Sequence, residues 1–221
     1  MNSSTKQTEN LENIENIENI KIAILGNSGV GKTCIINRFA KNEFNPETDS
    51  TISASYQQKY MLKNGKRYQL DLWDTAGQEK YYSLSKYFYK NAYIVILVYD
   101  ITNKDSFEAI KNIWYIDIKK FGEKYQVLAL VGNKADLYEN EEVDEEMARE
   151  YAEKINATFM QVSARSGNNI EYLFETLLCV YLGEFQTKAK EMINEKKMIK
   201  SGTKKLSRNN KYVGNDQSCG C

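Results

Sequence analysis

The chain contains no histidine. That absence removes Ser-His-Asp triads, histidine-ligated zinc and imidazole acid–base catalysis from the available chemistry. Net charge is missing too: 30 Lys and Arg balance 30 Asp and Glu among 221 residues, so there is no general pull toward nucleic acid or a membrane surface. Long apolar runs are lacking, since the longest, residues 93–99, falls far short of the ~20 residues a membrane-spanning helix needs. Cysteines are few, with Cys34 and Cys179 in segments that read as helices and Cys219 and Cys221 at the end of the chain. They make no disulfide framework and, with no signal-peptide pattern, predict the reducing cytosol.

What is present is unevenly spread. The 42% hydrophobic content is enough for one domain with a real core. Residues 1–20 carry one cation, Lys6, against Glu9, Glu12, Glu15 and Glu18, whereas residues 186–221 carry nine cations against three carboxylates. The first segment repeats Glu-Asn-apolar with a strict period of three, which fits neither a helix face nor a strand face, so residues 1–19 read as a low-complexity extension. Residues 20–185 alternate short apolar runs with longer amphipathic stretches, and residues 186–221 read as a basic, solvated tail.

Within 20–185 the pattern predicts strands at 21–26, 53–62, 67–73, 94–99, 127–132 and 158–162. Helices are expected at 32–41, 83–91, 105–121, 144–155 and 169–183. Asn64-Gly65 between the second and third strands is a type I′ hairpin signal, so those two should be antiparallel. The expected fold is therefore α/β, a six-stranded, mostly parallel sheet covered by helices on both faces and joined by right-handed crossovers.

The run Gly26-Asn27-Ser28-Gly29-Val30-Gly31-Lys32-Thr33 fits G-x-x-x-x-G-K-[ST], and it follows a strand and opens a helix. Its glycines let the chain turn tightly, so backbone N–H groups through Cys34 and the helix N-terminus can converge on phosphate oxygens. Lys32 would neutralise the β- and γ-phosphates, and the Thr33 hydroxyl would ligate Mg²⁺. Such a loop alone leaves kinases, ATPases and GTPases open.

Asn133-Lys134-Ala135-Asp136 follows the fifth strand. At that strand end it faces the same crevice, where the Asp136 carboxylate can accept hydrogen bonds from N1–H and the 2-amino group of guanine. Adenine presents no such donors and would leave a buried carboxylate unpaired. Asn133 and the Lys134 stem would brace the loop and cover the base, and Ser163-Ala164-Arg165 would set backbone N–H groups near the guanine O6. By itself Asn-Lys-x-Asp could equally be a turn leaving a strand.

A third strand end carries Asp74-Thr75-Ala76-Gly77-Gln78. Asp74 would hold Mg²⁺ through a water, the Gly77 N–H would bond the γ-phosphate, and Gln78 would orient the attacking water. Thr51, in the loop after the first helix, is the candidate that closes on Mg²⁺ and γ-phosphate. With Gln78, Lys32 and Gly77 as the catalytic set, the absent histidine is no handicap.

Together these motifs, with Ser50-Thr51-Ile52, Trp73 ahead of Asp74, Ser163-Ala164 and the terminal Cys219-Gly220-Cys221, resemble the Rab branch of the Ras-like small GTPases. The resemblance covers about residues 20–183. It implies a monomeric GTP/GDP switch in vesicle membrane traffic that hydrolyses GTP slowly without help. It implies as partners an exchange factor, a GTPase-activating protein, effectors, and escort and dissociation-inhibitor proteins. It also places Phe44 edgewise on the base, where a loop phenylalanine covering core is the other reading, and Tyr56, Trp73 and Phe88 on an effector face.

Cys219 and Cys221 look like a double prenylation signal, implying a lipid-anchored protein on the cytosolic face of an intracellular membrane. Ser50-Thr51-Ile52 followed by Ala54, with Tyr82-Ser83-Leu84 and Gly132-Asn133-Lys134-Ala135-Asp136-Leu137, resembles the early-endosomal members. Three departures bear on loop closure: Ser53 where glycine is usual, Thr48 where an aromatic is usual, and Arg165 in place of lysine. The competing reading is a nucleotide-loaded scaffold with negligible turnover, which single-turnover hydrolysis would distinguish.

Overall fold

The computed structural model describes residues 17–46, 55–75, 89–122 and 127–183. The expected strands are there: β1 (Glu18–Leu25), β2 (Ser55–Lys63), β3 (Lys66–Asp74), β4 (Ile94–Asp100), β5 (Val127–Asn133) and β6 (Thr158–Gln161). They form one sheet in the order β2-β3-β1-β4-β5-β6. Only β2 runs antiparallel, against β3 from Ser55↔Asp74 to Lys63↔Lys66, while β1 pairs parallel with both β3 and β4. The turn joining β2 and β3 has positive φ at Asn64 (53°) and Gly65 (74°), the geometry a two-residue hairpin needs to match strand twist.

β1 opens earlier than the apolar pattern suggests. Glu18 and Asn19, the last members of the Glu-Asn repeat, already pair with Tyr68 and Gln69, and Glu18 holds an ion pair to Lys66 at 2.7 Å. These two residues, featureless as sequence, are drawn into the sheet where a neighbouring strand offers hydrogen bonds.

Helix α1 (Lys32–Lys41) follows β1. The helix expected at 105–121 is divided into α2 (Lys104–Ala109), a π-helical turn (Ile110–Trp114) and α3 (Tyr115–Phe121). The Tyr115 N–H reaches back five residues to the Ile110 carbonyl, so one residue more than an α-turn holds is accommodated there. A 3₁₀ segment, Ala135–Asn140, leaves β5. Helix α4 (Glu145–Lys154) is capped by the Asp144 side chain, which accepts from the Met147 N–H. Residues 170–178 are helical (α5), and residues 179–183 are helical as well. Of the helix expected at 83–91, only residues 89–91 are among those described.

All seven residues of β4 are buried, as fits a strand covered on both faces. On one face, Ala23, Leu25, Val95 and Leu97 meet Phe107, Ile110, Trp114 and Ile118, with Ala148 and Ala152 of α4 beyond. Elsewhere Phe39 of α1 stacks on Phe174 of α5 with ring centroids 3.7 Å apart, a contact that adds ~1 kcal/mol to the area it buries. The chain divides into two units, Met1–Leu178 and Cys179–Cys221, a boundary earlier than residue 186 where composition changes.

The topology prepares a site. From β1 the chain crosses to β3 on one side and returns to β4 on the other, so a crevice opens beyond the carboxyl end of β1 where strand order reverses.

Candidate functional site

Gly26 to Gly31 occupy that crevice. Gly26 has φ 148° and a Cβ there would stand 2.2 Å from the Val98 carbonyl oxygen; at Gly31, with φ 93°, it would stand 2.3 Å from Asn133 Nδ2. Both positions therefore demand glycine. Gly31 is the N-cap of α1, with no side chain capping the helix and no acidic residue in its first turn. The start of the helix is thus not closed by a capping side chain or an acidic residue, the usual arrangement where a helix N-terminus faces an oxyanion.

Lys32 is 5% exposed, and its Nζ donates to the Gly26 and Asn27 carbonyl oxygens at 2.9 and 2.8 Å. Burial lowers its pKa to about 8, against a smaller upward pull from Asp74. Thr33 Oγ1 donates to Asp74 Oδ2 at 2.7 Å. The other oxygen, Asp74 Oδ1, is buried with no hydrogen-bond partner among the described residues, and burial raises the carboxyl's pKa. A cation and an anion are each desolvated here beyond what their neighbours repay.

A phosphate chain with a divalent cation would relieve both. No group of three or more Cys, Asp or Glu side chains capable of caging a metal exists among the described residues. Mg²⁺ is commonly held by one or two protein oxygens together with substrate phosphates. Thr33 and Asp74 fit such a donor set.

The other wall is tied by side chains. Asn133, buried at the end of β5, donates from Nδ2 to the Val30 carbonyl oxygen (2.9 Å) and accepts at Oδ1 from the Ala164 N–H (3.2 Å). One amide therefore joins the phosphate loop to the loop after β6. Lys134 adopts the left-handed conformation, φ 68°, with its ammonium paired to Asp100. Asp100 in turn accepts from the Thr102 N–H and hydroxyl at 2.9 and 2.8 Å. Asp136 accepts from Ser163 Oγ at 2.6 Å and lies 3.9 Å from Arg165 Nη1. Its side chain remains 21% exposed, and a carboxylate has about four lone-pair sites, so acceptor capacity is left for donors on a ring.

Two contributors escape motif reading. Arg38, in the last turn of α1, donates from Nε to the Ala164 carbonyl oxygen and from Nη2 to that of Arg165, both at 2.9 Å. Trp114, in the π-helical turn, donates its indole N–H to Asn27 Oδ1 at 2.9 Å. In sequence Arg38 looks like a surface cation and Trp114 like core, and the only local hint is the position of each on its helix.

Of the remaining candidates, Cys34 is half-buried in α1, its Sγ 4.0 Å from the Asn45 carbonyl oxygen, and Phe44 is half-buried in the loop after α1. Tyr56 and Trp73 are opposite each other across β2 and β3, their rings 5.4 Å apart. The Tyr56 hydroxyl donates to Asp71 at 2.6 Å, a bond that pushes its pKa up to about 12. Thr51, Gly77, Gln78, Phe88, Cys219 and Cys221 lie outside the described residues, as do Thr48 and Ser53.

The model of the Ras family matches residues 21–182. Ras-related protein Rab-30 of Homo sapiens is 38% identical over 164 residues, covering 74% of this chain and 80% of the relative. A putative ras-related protein Rab-5B of Dictyostelium discoideum is 44% identical over 159 residues, 72% of this chain and 73% of that one. Ras-related protein SEC4 of Candida albicans is 36% identical over 160 residues, 72% and 76% of the two chains.

Proposed function

The chain belongs to the Ras family, in its Rab branch, and on that premise we propose that the crevice beyond β1 holds a guanine nucleotide with Mg²⁺. It is a small GTPase of vesicle trafficking, binding guanine nucleotides and hydrolysing GTP. Gly26 to Cys34 wrap the phosphates with backbone N–H groups, and Lys32 supplies the charge. Thr33, Thr51 from the following loop and Asp74 would hold the metal, which would supply positive charge to the phosphates. Asp136 reads the base, Ser163 orients Asp136, and Arg165 presents its backbone N–H group to the base together with Ala164, whose N–H is shared with Asn133 Oδ1. Gln78 would orient the attacking water, and the Gly77 N–H would bond the γ-phosphate.

The observation that carries this reading is the buried pair Lys32 and Asp74. Lys32 is pinned on two loop carbonyls, and Asp74 has a bare oxygen beside the Thr33 hydroxyl. Extraction of nucleotide from the purified protein tests it, followed by timed conversion of bound GTP to GDP. Guanine nucleotide should be recovered, and conversion should slow by an order of magnitude or more in Gln78→Leu, since a positioning contact of ~1.4 kcal/mol is worth a factor of ten. Recovery of adenine nucleotide, or an unchanged rate in Gln78→Leu, would overturn the assignments.

The switch acts at an intracellular membrane. We assign its attachment to prenyl chains on Cys219 and Cys221, because Cys219-Gly220-Cys221 resembles a double prenylation signal and stable anchoring takes two lipid signals. An exchange factor, an activating protein, and escort and dissociation-inhibitor proteins serve the cycle. Effectors dock on Tyr56, Trp73 and Phe88, and the early endosome is the compartment favoured by residues 50–54, 82–84 and 132–137.

A further inference from the structure

A groove of about 690 Å³ lies away from the crevice, between the α2–α3 segment and α4. Its wall on one side is Phe107, Lys111, Tyr115 and Lys119, spaced four apart and so on one helical face. Met147, Tyr151, Lys154 and Ile155 line the other side. Tyr151 meets the edges of Phe107 and Tyr115 with centroids 5.9 and 6.4 Å apart, giving an aromatic floor.

The rim is cationic. Lys111 is committed to Glu108 and to the faces of Phe107 and Tyr151. Lys119 and Lys154 are exposed and have no ion-pair partner among the described residues, and Glu150 is the single carboxylate in the lining. An occupant should therefore be acidic and aliphatic, and narrow enough to lie along two parallel helices.

The chain carries such a segment. Residues 9–16 read Glu-Asn-Leu-Glu-Asn-Ile-Glu-Asn. A period of three suits neither an α-helix nor a strand, but it suits an extended left-handed helix of three residues per turn. In that form Leu11 and Ile14 share one edge while Glu9, Glu12 and Glu15 share another, successive glutamates ~9 Å apart.

Its point of attachment is right as well. Lys119 and Lys154 lie near the carboxyl ends of α3 and α4, just before β5 and β6 begin. Those strands run parallel to β1 through β4, so β1 begins at that same end. Two strand spacings, ~10 Å, and a layer of about the same thickness separate the start of β1 from the groove. A stretch of six or seven extended residues can span ~20 Å, enough for the chain that precedes Glu18 to reach the lysines.

We propose that this groove is the docking site of the chain's own N-terminal segment 9–16, with Leu11 and Ile14 on the aromatic floor and the glutamates on Lys119 and Lys154. The segment then rests against the helix that holds Asn27 through Trp114.

Zero-length carbodiimide cross-linking of the purified full chain, followed by peptide mass spectrometry, tests this. Amide links should join Glu9, Glu12 or Glu15 to Lys119 and Lys154 within one chain. Lys120, adjacent in sequence but outside the groove lining, should give at least fivefold fewer. Leu11→Asn with Ile14→Asn leaves every charge in place and should lower the Lys119 and Lys154 links at least fivefold. Equal linking of Lys119 and Lys120, or links indifferent to the Asn substitutions, would overturn the proposal. Links found between two chains rather than within one would overturn it in favour of a second copy as the occupant.

Discussion

The two walls of the nucleotide crevice are built on opposite electrostatic terms. On the base side, Asn133, Ser163, Asp136 and Arg38 each make at least one hydrogen bond of 3.2 Å or less to another part of the molecule. On the phosphate side, Lys32 is held down to a pKa of about 8 and Asp74 is pushed up, both by burial. One wall is assembled before the ligand arrives. The other keeps two charges in an unfavourable place that phosphate and the proposed metal would repay, which would concentrate binding energy where the chemistry occurs.

The largest effect should come from breaking the assembled wall at its reading head. Asp136→Asn replaces an acceptor by an amide that meets guanine donors with its own NH₂. GTP affinity should fall by ~10³ or more, on the scale seen when a polar pocket is mismatched to its ligand. Xanthine nucleotides, with a 2-oxo group in place of the amine, should gain. Competition binding with GTP, XTP and ATP checks it; a mutant that kept its preference for GTP would remove Asp136 from the base contact.

The phosphate wall should instead reveal itself through pH. Without ligand, Lys32 loses its proton through about 8; phosphates favour the charged form, so the bound pKa is higher and binding takes up a proton in between. Phosphate esters are fully ionised well before that range. GDP affinity should therefore fall by up to ~10-fold per pH unit above about 8. The ligand-free protein should respond with the other sign. An unfolded lysine titrates near 10.5, so between about 8 and 10.5 the unfolded chain binds more protons and this group's contribution to stability rises with pH. Parallel binding and denaturation series would expose the two slopes. A flat affinity profile, or the same profile in Lys32→Met, would place the lysine elsewhere.

How far sequence alone reaches differs between the walls in the same way. Gly26 to Thr33, Asp74 and Asn133 to Asp136 are legible because each is a short, recognisable run at a strand end, and short apolar runs give the strand ends. Arg38 and Trp114 are hidden because their partners lie 126 and 87 residues away. The π-helical turn at Ile110–Trp114 is equally invisible, since the apolar pattern of 105–121 tolerates one added residue. Glu18 and Asn19 were indistinguishable from the repeat preceding them, and only the ladder to Tyr68 and Gln69 separates them.

Arg38 offers a smaller break in the assembled wall. Its fork spans two carbonyls of the loop that follows β6, and hydrogen bonds from a charged donor are worth ~1.5–3 kcal/mol each. Part of that is repaid by water at this half-buried site, so Arg38→Ala should speed guanine nucleotide release about tenfold. Arg38→Lys should recover less than half of the loss, because one ammonium cannot reproduce the planar fork. Stopped-flow release of a fluorescent GDP measures both. Release unchanged alongside a lowered melting temperature would mean that Arg38 braces α1 and leaves the loop alone.

The smallest effect tests whether the tension of the phosphate wall is fed from behind. Asn27 contributes its backbone carbonyl to Lys32 and its side-chain oxygen to the Trp114 indole. The helix therefore holds the residue that holds the lysine. Trp114→Phe keeps an aromatic ring in the core but removes the donor, a neutral hydrogen bond worth ~1 kcal/mol, or about fivefold. If the bond positions Asn27, GDP release should quicken by that factor and the pH at which affinity begins to fall should move, because a looser carbonyl changes the surroundings of the lysine ammonium. A purely structural tryptophan would lower the melting temperature and leave that pH alone. Asn27→Ser in the Trp114→Phe background separates the two: coupling through the hydrogen bond makes the second substitution cost less than it does alone, and independent sites make the costs add.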